Sequence, residues 1–244
     1  MGLGLALPIT SGVGVGVVTG VAQGVSEQKR VNADSANQAR MLKFHLDVYV
    51  EPKFRRSRSR SVGGGTAGEV LNEGMVVLHD DKLWIERKSS RTRQPVEAGR
   101  HPFTGFYLAY PDDNRPYTRG IVSTISVNPP MLNWIYVDRE TLEMKYANRS
   151  GSMPHHVGDY DWTSEDPNDS AVTLEGWEGF VAVEESDGGW AIYFDHEDDG
   201  LKRVKKGRKI VEVSLIRRLI SDQEVNQWGL EQEGNIGFRS TREV

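Results

Sequence analysis

A mainly β, single antiparallel domain, either a sandwich or a partly open barrel, is the fold class this sequence predicts. Three observations predict it. Between Met131 and Phe194 the strings N-W-I-Y-V-D, L-E-M-K-Y, W-E-G-F-V-A-V-E-E and W-A-I-Y-F-D alternate at period two. Aromatic and β-branched residues occupy their strand positions. The 26 glycines and 10 prolines of the 244 residues fall largely between such runs, which favours short strands and many turns. Hydrophobic content of 37% beside 27% charge suits one substantial core with smaller attachments.

Taken in order, residues 1–26 form a glycine-rich apolar arm with no charged side chain. A basic segment ahead of an apolar core is missing, so a secretory signal is not expected, and Pro8 interrupts the apolar run. Gly12, Gly16, Gly20 and Gly24 recur every four residues and would give a smooth stripe for self-association or a weak membrane-surface contact through residues 1–24. Residues 27–41, opened by Ser26 and sustained by Ala33, Ala36 and Ala39, predict a helix. The antiparallel β domain is expected over residues 42–216, with loops at 51–74, 89–101 and 148–170. Its first strand is L-K-F-H-L-D-V-Y-V, with Leu42, Phe44, Leu46 and Val48 on the buried face and His45 and Asp47 on the exposed one. The loop that follows carries K-F-R-R-S-R-S-R, where residues 53–60 offer a basic patch for phosphate, nucleic acid or nuclear import.

Strands are then expected at 75–78 and 83–86 around the turn H-D-D-K, at 103–110, and at 121–127, where Asn128-Pro129-Pro130 ends the ladder. Trp134 and Tyr136 share one strand face and Ile135 and Val137 the other. A late strand, I-V-E-V-S-L, leads to residues 217–244, a short helix with the capping-box string Ser221-Asp222-Gln223-Glu224 and a polar tail.

The strings N-W-I-Y-V-D-R-E-T, L-E-G-W-E-G-F-V-A-V-E-E and Y-F-D-H-E-D-D-G-L-K resemble those of a group of filamentous-fungal proteins. The resemblance includes M-L-K-F-H-L-D-V-Y-V and covers most of residues 27–215. It implies a fungal, intracellular protein and transfers no catalytic residue.

Charge and composition narrow the function classes. A net charge of -5 argues against wholesale nucleic-acid binding, and the absence of cysteine removes disulfides, thiolate metal sites and thiol nucleophiles. The sequence therefore reads first as a non-enzymatic binding or assembly module in the cytoplasm, with the nucleus second and a protein partner or self-association favoured. The alternative is an enzyme or small-molecule binder with a pocket near the 148–170 loop. There, Tyr160 and Trp162, with Trp177 beyond, would form a ligand surface. His155 and His156 are candidates for acid–base work, or for metal ligation with Asp159 or Asp161, although no regular ligand spacing supports zinc. Glu175 and Glu178 flank Trp177 as a conceivable carboxylate pair, more simply read as strand-edge residues. Asp195, Glu197 and Asp199 before Gly200 imitate the front of a calcium loop, but Lys206 stands where its bidentate glutamate belongs. A charged hairpin turn is the plainer reading, and no cofactor is expected.

Overall fold

Alternation does produce strands here, and pairing, with the contacts of Arg119 to Asp159 and of Ala171 to Ile216, arranges six of them in a ring. The computed structural model describes residues 42–51, 67–72, 74–97, 100–127, 130–164, 166 and 170–220. The expected arm, its helix, the basic 53–60 run and the C-terminal helix lie outside the described residues. The strands are β1 (Phe44–Tyr49), β2 (Gly74–His79), β3 (Lys82–Arg87), β4 (His101–Pro102), β5 (Gly105–Ala109), β6 (Arg119–Val127) and β7 (Pro130–Val137). They continue with β8 (Met144–Ala147), β9 (Tyr160–Trp162), β10 (Val172–Leu174), β11 (Phe180–Glu184), β12 (Trp190–Phe194), β13 (Ile210–Glu212) and β14 (Ser214–Leu219). Two short helices, α1 (Ala67–Asn72) and α2 (Arg149–Ser152), interrupt them.

Six strands make a barrel. β1 pairs with β14 and β5, β5 with β6, and β9 with β10, all antiparallel. Between β6 and β9, Arg119 donates its backbone N–H and its Nε to Asp159, each at 2.9 Å. Between β10 and β14, the Ala171–Ile216 bridge and the Arg217 N–H to Ser170 carbonyl bond complete the ring. Three further hairpins, β2–β3, β7–β8 and β11–β12, form a cap. They converge on one another: β3 pairs with β12 and with β8, and Glu143 bridges to Tyr193. The barrel pairs β1–β14, β5–β6 and β9–β10 thus alternate with the cap hairpins in a threefold pattern, the first of them joining the first and last described strands. Closure removes the free edges that an open sheet would expose.

The turns follow local chemistry. Asp80 and Asp81 both take positive φ, 47° and 58°, the conformation that joins twisted strands through a two-residue loop. In the β7–β8 turn, Asp138 Oδ1 accepts the N–H groups of Glu140 and Thr141 at 2.9 and 3.0 Å.

Phe44, Phe103, Tyr107 and Tyr160 of the barrel share one continuous core with Phe180 and Phe194 of the β11–β12 hairpin. Phe44 stands 5.7 Å from the Phe103 ring and 5.6 Å from Tyr107. The Arg217 guanidinium lies 3.7 Å from the centroid of Trp162. Trp134 and Tyr136 join Phe106, Tyr110, Val122 and Val157 in a second cluster, while Ile135 and Val137 face the main core. Trp134, Phe180, Trp190 and Phe194 are buried, and Trp177 is half-buried.

Four boundaries differ from the sequence expectation. His45 is buried, not exposed, because β5 approaches that side of β1; its Nδ1–H donates to the Phe103 carbonyl at 2.7 Å. The 51–74 loop holds α1, whose Ala67 and Leu71, four residues apart, are both buried, and Asn72 accepts the Val50 N–H at 3.0 Å. The 148–170 segment is not one loop: it contains α2, capped by Asn148, and the barrel strand β9. The β domain also runs past 216, since Arg217–Leu219 pair with Leu46–Phe44. Among the described residues no helix is long and apolar enough to cross a membrane.

Candidate functional site

Two adjacent histidines in this segment go separate ways, for a backbone reason. His156 bridges to Val137, exchanging both N–H···O bonds at 2.8 and 3.1 Å, so consecutive side chains leave on opposite sides. His155 stacks on Tyr136 at 4.7 Å. His156 turns toward the β10–β11 turn and meets Glu175.

Glu175 is presented by a tight hairpin. Leu174 and Trp177 exchange backbone bonds around Glu175 and Gly176, whose φ angles are 53° and 90°. A glutamate with positive φ is uncommon, and glycine beside it suits the second left-handed position. The Glu175 N–H donates to the Asp159 carbonyl at 2.8 Å. From this turn its carboxylate reaches His196 Nε2 at 2.9 Å and His156 Nδ1 at 3.6 Å. The two imidazoles stack at 5.6 Å, and His196 packs on the edge of Phe194. The hydrogen bond to Glu175, reinforced by Glu197, raises the His196 pKa above its ordinary value, while partial burial lowers that of His156 despite Glu175. One carboxylate therefore holds two imidazoles that favour different protonation states at the same pH.

The remaining candidates are arranged otherwise. Tyr160 is a core residue, 1% exposed, whose phenol is pushed up by burial and by Tyr107. Trp162 covers Arg217 and meets Tyr107 edge-on at 4.8 Å, and Trp177 packs on Phe194 at 5.6 Å. Tyr160 thus supplies no surface. Asp159 and Asp161 are engaged by Arg119 at 2.7 and 2.5 Å rather than by the histidines. Glu178 stays outside the His156–Glu175–His196 group, its carbonyl accepting the Phe180 N–H at 2.8 Å.

Asp195 is buried and turns its carboxylate inward, accepting the N–H groups of Asp199 at 3.2 Å and Gly200 at 2.7 Å. Glu197 points to solvent beside His196, and Asp199 accepts the Lys202 N–H at 3.1 Å. The three acids organise their own turn instead of converging, and among the described residues no group of three His, Asp or Glu is placed to hold a metal ion.

A second feature lies on the cap. The β7–β8 turn and residues 201–208 border a cavity of about 650 Å³ that is open to solvent. Arg139, Arg203, Lys206 and Arg208 line it, with Glu140 and the buried Glu143 and Tyr193. Glu143 accepts from Lys82 and from Thr141 Oγ1 at 2.9 Å, and Lys145 lies 3.0 Å away. Burial works against ionisation of Glu143, but these partners hold its carboxyl below the usual range. Arg208 donates to Glu185 at 2.8 Å and to the Tyr193 hydroxyl at 2.9 Å.

Neither His196 as a partner of Glu175 nor the cationic cavity was visible in the sequence. His196 stood inside the calcium-like string, and of the cations around the cavity only Lys206 stood out, as the residue in place of the calcium loop's glutamate.

The comparisons with known proteins bear on the ring and cap just described. No curated protein and no solved structure matches the chain. One family model, described as a fungal beta-trefoil domain, matches residues 20–221, most of the chain. Its name agrees with three barrel strand pairs alternating with three cap hairpins, and with the fungal resemblance of the sequence strings. The chain belongs to the fungal β-trefoil domain family.

Proposed function

We propose that the protein is a non-enzymatic binding module that engages another protein, a carbohydrate or a second copy of itself through loops carried on a closed barrel. The observation that carries this reading is where the side chains go. The barrel interior is filled by Phe44, Phe103, Tyr107 and Tyr160, leaving recognition to groups on the turns. Trefoil domains commonly bind proteins or carbohydrates, which supports the class and leaves the partner open. A cytoplasmic site of action belongs to the same proposal, and a cysteine-free chain is compatible with it.

The test is equilibrium binding of the full chain to a glycan panel, with sedimentation equilibrium for self-association and chromatography of every recovered ligand. Saturable binding with chemically unchanged ligand is expected. A ligand recovered as product would overturn the reading.

The enzyme alternative rests on one observation, the His156–Glu175–His196 group. A carboxylate orienting an imidazole is the arrangement general acid–base chemistry uses, and here it lies beside the 148–170 segment. Turnover abolished by His196→Ala, with the melting temperature unchanged, would establish it.

A further inference from the structure

The cap cavity collects positive charge on a chain whose net charge is -5. We propose that it is a binding site for a small oxyanion, the phosphate or sulfate ester of a low-molecular-weight ligand. This rests on the binding-module reading and assigns a ligand class to one place on it.

The floor of the cavity is already neutralised. Glu143 is met by Lys82 and Lys145, and Glu185 is met by Arg208. Arg208 is fixed from three sides, by Glu185, by the Tyr193 hydroxyl, and by the Val204 carbonyl, which accepts from Nη2 at 2.9 Å. These bonds anchor the base of the 201–208 segment to β12. The rim differs. Among the described residues Arg139, Arg203 and Lys206 have no carboxylate within ion-pair distance, and Glu140 is the one acidic side chain lining the rim.

Those rim cations come from two segments held together. Arg203 Nη2 donates to the Arg139 carbonyl at 3.5 Å, tying residues 201–208 to the β7–β8 turn. Asp138 fixes that turn through two backbone N–H groups and Lys145. Like charges brought together repel, and nothing in the core requires these three exposed residues to be basic. Guanidinium groups offer planar forks that match tetrahedral oxyanions, and an ammonium adds a point charge. The volume, about 650 Å³, falls within the range of small-ligand sites. Hydroxyl-bearing Thr141 at the floor and the aliphatic Val204 at the wall would meet the body of such a ligand.

Isothermal titration of the full chain with inorganic pyrophosphate at low salt, read beside amide chemical shifts, tests this. Binding is expected, with shifts centred on residues 139–143 and 201–208. The charge-reversed variant R139E/R203E, exposed at both positions, should bind at least tenfold more weakly and keep its melting temperature. R139K/R203K should recover part of the affinity. Orthophosphate and sulfate, compared at matched ionic strength and at slightly alkaline pH where both carry close to two charges, separate the two esters: stronger binding of orthophosphate indicates phosphate, and equal binding indicates charge recognition open to sulfate. No binding to the parent, or equal binding by parent and R139E/R203E, would overturn the site. If the parent still binds a neutral glycan or self-associates, only the oxyanion assignment fails. Orthophosphate appearing in the ³¹P spectrum during titration would instead overturn the non-enzymatic reading while leaving the cavity occupied.

Discussion

Inside the barrel, rings meet rings: Phe44 contacts Phe103 and Tyr107 at 5.7 and 5.6 Å. At the cap, where β3, β8 and β12 converge, the meeting groups are Lys82, Glu143 and Tyr193, with Lys145, Glu185 and Arg208 around them. The same antiparallel hairpins thus close one region by removing apolar area from water and the other by matching charges. The difference teaches where function can reside. A filled apolar interior offers no groups to a ligand, whereas a charge network near the surface can be rebalanced by one.

The largest expected effect lies in the apolar core that barrel and cap strands share. Phe194→Ala removes a fully buried ring from the junction of β11, β12 and the Glu175 turn. It should cost about 3–5 kcal/mol. On the usual scale for a domain of this size, the melting temperature falls by roughly 10 °C. A loss below about 1 kcal/mol in denaturant titration would show that the core relaxes there and would break the contrast.

Glu143→Ala comes next. It leaves Lys82 and Lys145 facing each other without their shared carboxylate. Removing one partner of a part-buried pair is expected to cost about 2–3 kcal/mol, less than a deeply buried pair because both lysines retain some solvent. Glu143→Gln should fall between parent and alanine. If both variants melt like the parent, the cap owes its stability to packing rather than charge.

Acid sharpens the same point. Partial burial opposes ionisation of Asp138, but the Thr141 and Glu140 N–H groups and Lys145 hold its carboxyl down at about 2. A carboxyl depressed by folding contributes stability that is present above its unfolded pKa, about 4. That contribution is lost as pH falls toward the folded value, and Glu143 adds to it with the same sign. Stability should therefore decline between about pH 4 and pH 2. Asp138→Asn should be less stable at neutral pH and show a shallower acid limb in melts recorded across that window.

The smallest effect concerns the surface histidines. Glu175→Gln should lower the pKa of both His156 and His196, since Glu175 raises each, while stability shifts by no more than about 0.5 kcal/mol. In the parent, His196 should titrate above His156 by NMR. The raised His196 pKa contributes stability at low pH that fades as pH rises through it. The lowered His156 pKa works oppositely, costing stability as pH falls through the histidine range. Identical titration of both rings would show that Glu175 does not discriminate between them.

Most of the longer strands were readable because alternation is a local property. Trp134 and Ile135 had to face opposite ways wherever β7 went, and Asp80-Asp81 had to turn. His45 was misread because alternation says which side of a strand a residue takes, not whether another strand covers that side. Tyr160–Trp162 was hidden inside a polar stretch because three residues are too few to show a period. The candidate group was half legible: His156 and Glu175 stood out as titratable residues, but 19 positions separate them. Nothing local indicated that the Glu175 turn would meet both His156 and His196.

By itself, then, the sequence determined the β class, the positions of most turns, the cysteine-free chemistry and the identity of the charged residues available for work. Those follow from side-chain period, backbone preference and composition, which act over a few neighbouring residues. The tertiary structure alone decided that the strands close into a six-stranded barrel with a three-hairpin cap, and that Arg139 stands beside Arg203. It also decided that Asp195 is spent on its own turn. These depend on pairings between distant segments, such as Phe44 with Leu219, whose register is set by packing the whole core at once.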